Sequence, residues 1–215
     1  MNILIVGGGL QALSVARSLK KERYSVIALL HRGDISTKSK YIDELYTIDI
    51  TPTYKKEYLS SVHRVLQVHA ISVIIPLSDV TAEFLSIHKV NLEHEYHLKC
   101  AIPNYDIFQK ANDKWQLMDL CKENFIPHPR TQLLTSSNLQ EAAGAIGFPA
   151  LIKPNISVGA RGITMVCSLS DLQDKYDGIL RKYGECTLQE YIDTSGAPYY
   201  NVMMYRDEKG NIINT

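Results

Sequence analysis

The sequence predicts an α/β protein with two differently organised parts, a doubly wound parallel sheet followed by an α+β region. The first hundred residues alternate short, almost continuous apolar runs with amphipathic helical patterns, which is typical of a parallel sheet covered on both faces. Beyond residue 103, prolines and closely spaced strand patterns replace that alternation. The 215 residues are enough for two domains that each have a core of their own.

The N-terminal part contains strand and helix patterns in regular order. The strand patterns are short apolar runs at residues 2–6, 25–30, 44–49 and 72–77. The helical patterns cover residues 10–22, 55–69 and 80–94. In the first of them, Leu10, Leu13, Ala16 and Leu19 recur at helical spacing opposite polar residues. This alternation predicts βαβ units and a doubly wound domain that ends near residue 103.

The C-terminal part has a different pattern. Helices are predicted at 112–125, 136–149 and 168–184, and strands at 150–153, 163–166 and 186–192, followed by a hairpin that turns at 207–211. Ser137 and Gln140 have the spacing of a capping box, and Ser168 is the expected start of the third helix. Because the chain stops within the return strand of the hairpin, we expect these residues to be a fragment of a longer protein.

The composition excludes several classes of protein. Lysine plus arginine and aspartate plus glutamate each number 23, so the formal net charge is zero and no basic surface for nucleic acid or anionic membrane is expected. No apolar stretch approaches the roughly 20 residues of a membrane helix. The cysteines lack metal-site spacing and indicate a reducing compartment; they are Cys100, Cys121, Cys167 and Cys186. A cytoplasmic protein with no nucleic-acid or membrane partner is predicted.

A first glycine cluster follows the first predicted strand. Gly7, Gly9 and Ala12 match the G-x-G-x-x-A pattern of a dinucleotide-binding turn. Such a site needs an acidic residue at the end of the second strand to hold the ribose. His31 stands at that position, and Asp34 follows late, after a glycine. The pattern therefore allows a dinucleotide site but favours a structural turn.

A second glycine cluster lies in "LIKPNISVGARGITMV", residues 151–166. Lys153 follows the end of a strand, and Gly159 and Gly162 allow the loop backbone to close over phosphate oxygens. Arg161 can add a charge-assisted contact. A strand follows the loop, so the segment is a hairpin flap and not a P-loop. Taken alone, the residues fit a phosphate-binding flap and an ordinary mobile hairpin equally well.

Four segments in this order resemble the ATP-grasp superfamily, and most closely the ATP-binding region of the carbamoyl-phosphate synthetase large chain. The segments are "NDKWQLMDLCKENFIPHPRT", "FPALIKPNISVGARGI", "LQEYI" and "GAPYYNVMMYRDEKGNII". The resemblance implies three regions: a pre-ATP-grasp Rossmann-like domain at 1–103, a first ATP-grasp subdomain with its linker at 104–193, and the truncated start of the second subdomain at 194–215.

The resemblance implies a role for each basic residue and for the flap. Lys114 and Lys153 resemble the two basic residues that contact the phosphates of ATP. Residues 155–162 resemble the flap over the triphosphate, although the loop is shorter and less glycine-rich than in the family. The ATP-contacting flap residues are Gly159, Ala160, Arg161 and Gly162.

The strand "LQEYI" resembles the hinge that binds adenine. Backbone groups of Glu190 and Ile192 would pair with the base edge, and the amide oxygen of Gln189 would accept from the adenine amino group. The family usually places a ribose-binding glutamate soon after the hinge. That position falls on Tyr199 in this chain, and Asp193 is the nearest carboxylate.

The resemblance also implies an activity. The full-length protein would use ATP to activate a carboxylate or bicarbonate as an acyl phosphate, which an amine or ammonia then attacks. The resemblance thus implies an ATP-grasp ligase with small-molecule substrates, and a homodimer is one assembly that it allows. No catalytic residue is assigned; Ser78, Asp79 and Asn155 are weaker candidates near the substrate.

Magnesium is the second implied cofactor. Its ligands are expected beyond Thr215, with no metal site within this chain, so we expect the fragment alone not to turn over ATP. Two alternatives remain open: an NAD(P)-binding Rossmann oxidoreductase, and a non-catalytic ATP-grasp-like binding module.

Overall fold

The computed structural model describes residues 1–215 apart from Tyr54, Ala197, Tyr199, Glu208 and Thr215. The chain forms two compact units, Met1–Asp113 and Lys114–Thr215. The regions 1–103, 104–193 and 194–215 divide the chain by functional role and remain predictions.

The first unit is a parallel sheet with helices on both faces. Its strands are β1 (Asn2–Val6), β2 (Ser25–His31), β3 (Glu44–Ile48), β4 (Ile71–Pro76) and β5 (Lys99–Cys100). Its helices are α1 (Gly9–Lys21), α2 (Lys55–Val68), α3 (Asp79–Tyr96) and α4 (Tyr105–Asn112). The spatial order is β3-β2-β1-β4-β5, and all neighbouring pairs are parallel.

Alternating side chains of the strands build two separate cores. Leu4 packs with Val62 of α2 and Phe84 of α3 on one face of the sheet. Ile5 packs with Ala16 of α1 on the other face. Because successive strand residues point to opposite faces, a strand buried on both must be apolar throughout. The predicted doubly wound α/β fold is therefore confirmed.

Two helices of this unit compare differently with the sequence: the start of α3 follows from capping chemistry, and α4 was not predicted. Ser78 and Thr81 form a reciprocal capping box at the start of α3, in which the Ser78 hydroxyl accepts the Thr81 N–H at 3.3 Å. Helix α4 was not predicted: it has only eight residues, none of them buried, and helical periodicity is read over longer stretches.

The second unit is an antiparallel sheet with helices. Its strands are β6 (Thr131–Leu133), β7 (Ala150–Pro154), β8 (Thr164–Val166) and β9 (Cys186–Glu190), in the order β6-β9-β7-β8, and a separate hairpin of β10 (Tyr205–Arg206) and β11 (Ile212–Asn214). Its helices are α5 (Lys114–Glu123), α6 (Leu139–Ile146) and α7 (Leu169–Tyr183). The neighbouring strands run antiparallel.

The two faces of this four-stranded sheet differ in polarity. Ile152 and Leu188 are fully buried in the core that α6 and α7 complete. Lys153 and Gln189 are the next residues along the same two strands, so their side chains emerge on the opposite face. Strand alternation thus places a lysine and an amide on the same face of the sheet, diagonally across the two strands and away from the apolar core.

Two sequence-based details of this unit need correction. Ser137 and Gln140 form no capping box, because α6 begins after Asn138, which makes no side-chain cap to the helix. The Asn138 amide is instead engaged by the preceding turn, where its oxygen accepts the Thr135 N–H at 2.8 Å. Strand β9 ends at Glu190 and not at residue 192.

Among the described residues, no helix combines the length and the apolar character that crossing a membrane requires.

Candidate functional site

Three side chains from adjacent strands of the second unit form a hydrogen-bonded row. The Lys153 ammonium of β7 donates to the Gln189 amide oxygen of β9. The Gln189 amide nitrogen donates to the Thr131 hydroxyl of β6 at 2.9 Å. Gln189 is only 7% exposed. Since a cation is bound on one side and a hydroxyl oxygen on the other, the orientation of the Gln189 amide is fixed.

The first residue of α5 fastens the root of the flap. The Lys114 backbone N–H donates to the Asn155 carbonyl at 2.9 Å. Its ammonium donates to the carbonyl and the hydroxyl of Ser157, both at 3.1 Å. Lys114 therefore connects the helix to the residues where the flap leaves β7.

The two predicted lysines lie close enough to influence each other. Partial burial lowers the pKa of Lys153, and the positive charge of Lys114 lowers it further. Within the described part of the chain, Lys153 forms no ion pair with a carboxylate; its partner is the neutral Gln189 amide. Two ammonium groups in one site without a matching carboxylate on Lys153 attract a polyanion.

The flap adopts the left-handed backbone that its glycines allow. Gly159 and Ala160 have φ angles of 59° and 60°, and Gly162 has 77°. A Cβ on Gly162 would stand 2.7 Å from the Pro154 side chain, so the end of the flap packs too closely on β7 for any side chain. The Arg161 side chain is exposed.

The root of the flap contains an unpaired polar atom. Asn155 is 4% exposed, and its side-chain oxygen has no hydrogen-bond partner among the described residues. A buried acceptor without a partner costs about 1–3 kcal/mol, and such groups concentrate where a protein binds or moves. The flap root therefore contains a buried hydrogen-bond acceptor that is available to a ligand or to a movement of the flap.

Strand β9 ends where its neighbours provide no further pairing. Its last residue is Glu190, and the adjacent strands β6 and β7 start at Thr131 and Ala150, at the same edge of the sheet. In the part of the chain that the structure describes, no backbone hydrogen bond from the Ile192 N–H is recorded. The backbone after Glu190 is thus open to a planar ligand with a donor and an acceptor on one edge.

The first glycine turn, in the other unit, is already filled by the chain itself. The Gly9 N–H at the start of α1 donates to both carboxylate oxygens of Asp34, at 3.0 and 2.8 Å. The same carboxylate accepts the Ser36 N–H at 2.8 Å. A Cβ on Gly8 would lie 2.0 Å from an Asp34 oxygen. The turn thus binds an internal anion at the position where a pyrophosphate would lie, which supports the structural-turn interpretation.

Three residues of functional interest were not found by sequence reasoning. Arg130, Thr131 and Asp34 make the contacts that orient Glu190, Gln189 and the first turn, respectively. The only available signal was for Asp34, whose distance from the glycine cluster was noted but interpreted as too large. Tyr199, at the predicted ribose position, lies outside the described residues. Asp193 is exposed and bonds to Ser195.

No group of three or more histidine, cysteine, aspartate or glutamate side chains that could hold a metal ion occurs in the described part of the chain. The described residues of this site supply cations and amides for a phosphate chain, and do not form a carboxylate set for magnesium.

Comparison with known proteins shows which proteins the chain resembles. No protein-family model matches the chain. The chain is 23% identical to a D-aspartate ligase of Enterococcus faecium over 167 residues, which are 72% of this chain and 38% of that protein. It is 25% identical to the carbamoyl phosphate synthase large chain of Saccharolobus solfataricus over 212 residues, which are 94% of this chain and 19% of that protein.

A solved structure shares the fold. The biotin carboxylase domain of a Hydrogenobacter thermophilus 2-oxoglutarate carboxylase, crystallised with MgADP, ADP and bicarbonate, superposes with a TM-score of 0.74 at 20% identity, over 90% of this chain and 44% of that one. The chain thus spans less than half the length of each of these three proteins. The predicted resemblance is confirmed: the chain has the fold of the ATP-grasp superfamily and resembles carbamoyl phosphate synthase large chains over most of its length.

Proposed function

We propose that the whole protein is an ATP-dependent ligase that activates a carboxylate or bicarbonate as an acyl phosphate for attack by an amine or ammonia. In this proposal the residues of the second unit bind the nucleotide. Lys153 and Lys114 bind the phosphates, the flap at 155–162 covers them, and the backbone after Glu190 binds adenine. Arrangements of this kind promote phosphoryl transfer by positioning and charge neutralisation.

The observation that carries the proposal is the pairing of two lysines at the root of a glycine-containing flap. Lys114 holds the flap root, and Lys153 points to the same site from the strand that leads into the flap. A triphosphate would give Lys153 the counter-charge that the neutral Gln189 amide does not, with the Lys114 ammonium close by. The relatives named above, a D-aspartate ligase and carbamoyl phosphate synthases, support carboxylates or bicarbonate as the substrate class.

Several further parts of the proposal rest on the same relatives. Magnesium enters with ATP, and its ligands are proposed to lie beyond Thr215, since the described residues do not supply them. A homodimer and a cytoplasmic location are also part of the proposal. The dinucleotide-binding alternative is not favoured, because Asp34 occupies the amide position that a pyrophosphate would need.

Nucleotide binding to the chain tests the proposal directly. Backbone amide spectra recorded during titration with Mg·ATP should change at residues 155–162 and at Ile192. Lys153→Met should weaken ATP binding about tenfold or more, because a charge-assisted hydrogen bond to phosphate is lost. Lys122→Met, which removes an exposed lysine from the far end of α5, is the matched control and should leave the affinity unchanged.

Two outcomes would overturn the proposal. One is a wild-type chain that binds no ATP, and the other is a Lys153→Met chain with wild-type affinity. Spectral changes at residues 7–12 on addition of NAD(P)H would instead support the oxidoreductase alternative. If the whole protein binds ATP but releases no ADP with any carboxylate or bicarbonate, it is a non-catalytic binding module.

A further inference from the structure

Arg130 connects three segments that surround the end of β9. Its backbone N–H donates to one Glu190 carboxylate oxygen at 2.9 Å, and its Nε donates to the other at 2.7 Å. In return the Glu190 backbone N–H donates to the Arg130 carbonyl at 2.9 Å. Main chain and side chain of both residues therefore take part in one reciprocal contact, which we call the Arg130–Glu190 clamp.

The other end of the guanidinium binds the C-terminus of α6. One terminal nitrogen donates to the Ala145 carbonyl at 3.1 Å, and the second donates to the Ile146 carbonyl at 2.9 Å. The last carbonyls of a helix lack partners within the helix and carry partial negative charge. A planar guanidinium with five fixed donors can bind these carbonyls and a carboxylate at the same time, whereas a lysine cannot.

The clamp also acts on the electrostatics of Glu190. The Arg130 backbone N–H, followed by the Arg130 side chain, lowers the pKa of Glu190. Although Arg130 is largely exposed, its five hydrogen bonds give the pair a defined geometry, which isolated surface ion pairs lack. The side chain of Glu190 is thereby committed to Arg130.

The clamp lies at the end of β9, next to the backbone that is proposed to bind adenine. Glu190 is the last residue of β9, and the Tyr191 N–H donates to the Pro149 carbonyl at 3.3 Å. Beyond these contacts, no strand of the described residues pairs with Ile192, so the direction of the backbone is set by the contacts of Glu190 and Tyr191. A small rotation at Glu190 would turn the carbonyl and N–H groups of residues 190–192 away from a common plane.

We infer that Arg130 is a positioning residue for base recognition: through Glu190 it holds the backbone of residues 190–192 in the plane in which the adenine edge is bound. This inference rests on the proposed function. It assigns the two parts of the nucleotide to different residues: the lysines bind the triphosphate, and the clamp affects binding of the base only. Losing the clamp should therefore weaken ATP binding without changing the affinity for inorganic tripolyphosphate.

The test compares ATP with tripolyphosphate as ligands of the same variants, by calorimetry or amide spectra. Arg130→Met should weaken ATP binding about tenfold, comparable with the loss of one hydrogen bond to the base, and should leave tripolyphosphate binding unchanged. Its preference for ATP over inosine triphosphate should fall as well. Arg181→Met, which removes an exposed arginine from α7, is the matched control and should change neither affinity.

A second variant covers the case in which Arg130→Met does not fold. Glu190→Gln keeps the shape of the side chain and removes its charge, so it should show the same selective loss for ATP.

The possible failures are distinguishable. If either folded single variant keeps the wild-type ratio of ATP to tripolyphosphate affinity, the positioning role is wrong and the proposed function stands. If the wild-type chain binds tripolyphosphate but gains no affinity from the base, the hinge assignment is wrong and the inference falls with it. If the wild-type chain binds neither ligand, both the proposed function and this inference are wrong.

Discussion

The two glycine loops of this chain differ in what faces their backbone. In the first, the Gly9 N–H at the start of α1 already binds the Asp34 carboxylate. In the second, at residues 155–162, no carboxylate of the described residues accepts from the loop, and the side chains beside it are Lys114 and Lys153. The first loop binds an anion of the chain itself, and the second has two lysines beside it.

This difference shows that glycine spacing alone does not identify a phosphate site. Glycine permits a close approach of backbone to an anion, but either a ligand or an internal carboxylate can supply that anion. The first cluster matches a binding pattern and makes a structural turn. The second matches no P-loop and has the charge that a phosphate needs. The local balance of charge, and not the glycine pattern, separates them.

The largest expected loss of stability comes from a substitution that clashes with the Asp34 carboxylate. In Gly8→Ala the new methyl group would meet the Asp34 carboxyl carbon at 2.3 Å and its oxygens at 2.0 and 2.8 Å. The carboxylate must move away and release the Gly9 N–H, which costs about 3 kcal/mol of unfolding free energy. Denaturant unfolding followed through amides of the first unit measures this loss.

Gly178→Ala on α7 is the control for that substitution. There the methyl group meets no described atom within 4 Å, so alanine should stabilise the helix by up to about 1 kcal/mol. A Gly8→Ala chain as stable as the wild type would mean that Asp34 does not fill the first turn.

The second effect concerns the charge of Asp34 and its dependence on pH. Burial alone would raise the pKa of Asp34, but hydrogen bonds from Ser36 and from the Gly9 N–H outweigh it and lower the pKa below its usual 3.8. The folded state thus favours the charged form, so this stabilisation is present above about pH 4 and is lost as the pH falls through the folded-state pKa.

Asp34→Asn should remove that dependence and cost about 1–2 kcal/mol near neutral pH, since an amide keeps one acceptor but not the charge at the helix N-terminus. Unfolding curves between pH 2 and pH 7 for the wild type and the variant provide the measurement. Parallel pH profiles for the two chains would exclude the assigned role of the carboxylate.

The third prediction concerns a substitution that places a carboxylate beside the second loop, as Asp34 lies beside the first. Gln189→Glu would place a carboxylate beside the Lys153 ammonium, where the wild type has a neutral amide. Burial and Lys114 lower the pKa of Lys153 in the wild type; an adjacent opposite charge should raise it.

Direct titration of the lysine side chains by NMR tests this shift. Because the ammonium would then stay charged to higher pH, the loss of ATP affinity at alkaline pH should also begin later in the variant. Gln132→Glu, on the neighbouring strand β6 but outside the hydrogen-bonded row, is the control. A pKa of Lys153 that is the same in both variants would show that Gln189 is not its partner.

The sequence was sufficient for the features that depend on local pattern. Apolar runs such as residues 2–6 predict strands buried on both faces. Lys153 was expected to follow the end of its strand; it lies within β7, paired with Thr187. The sequence was not sufficient for contacts between distant residues. Asp34 reaches the first turn from 25 positions away, and Arg130 reaches Glu190 across 60. Neither pairing leaves a periodic trace, because the partner of a single polar side chain is not determined until the strands are paired.

The smallest effects are expected within the flap, where two adjacent residues share one backbone conformation. Gly159 and Ala160 have φ angles of 59° and 60°, a region that costs a residue with a side chain about 1 kcal/mol or more. Gly159→Ala should therefore destabilise the second unit by about 1 kcal/mol, although its methyl group meets no described atom within 4 Å. Ala160→Gly removes the same strain but adds freedom to the unfolded chain, so it should stabilise by less than about 1 kcal/mol.

Opposite signs at neighbouring positions would identify backbone conformation as the cause, because loss of a contact would make both changes destabilising. Denaturant unfolding of the two variants measures the signs, and two equal losses would mean that the flap backbone is not left-handed at both residues.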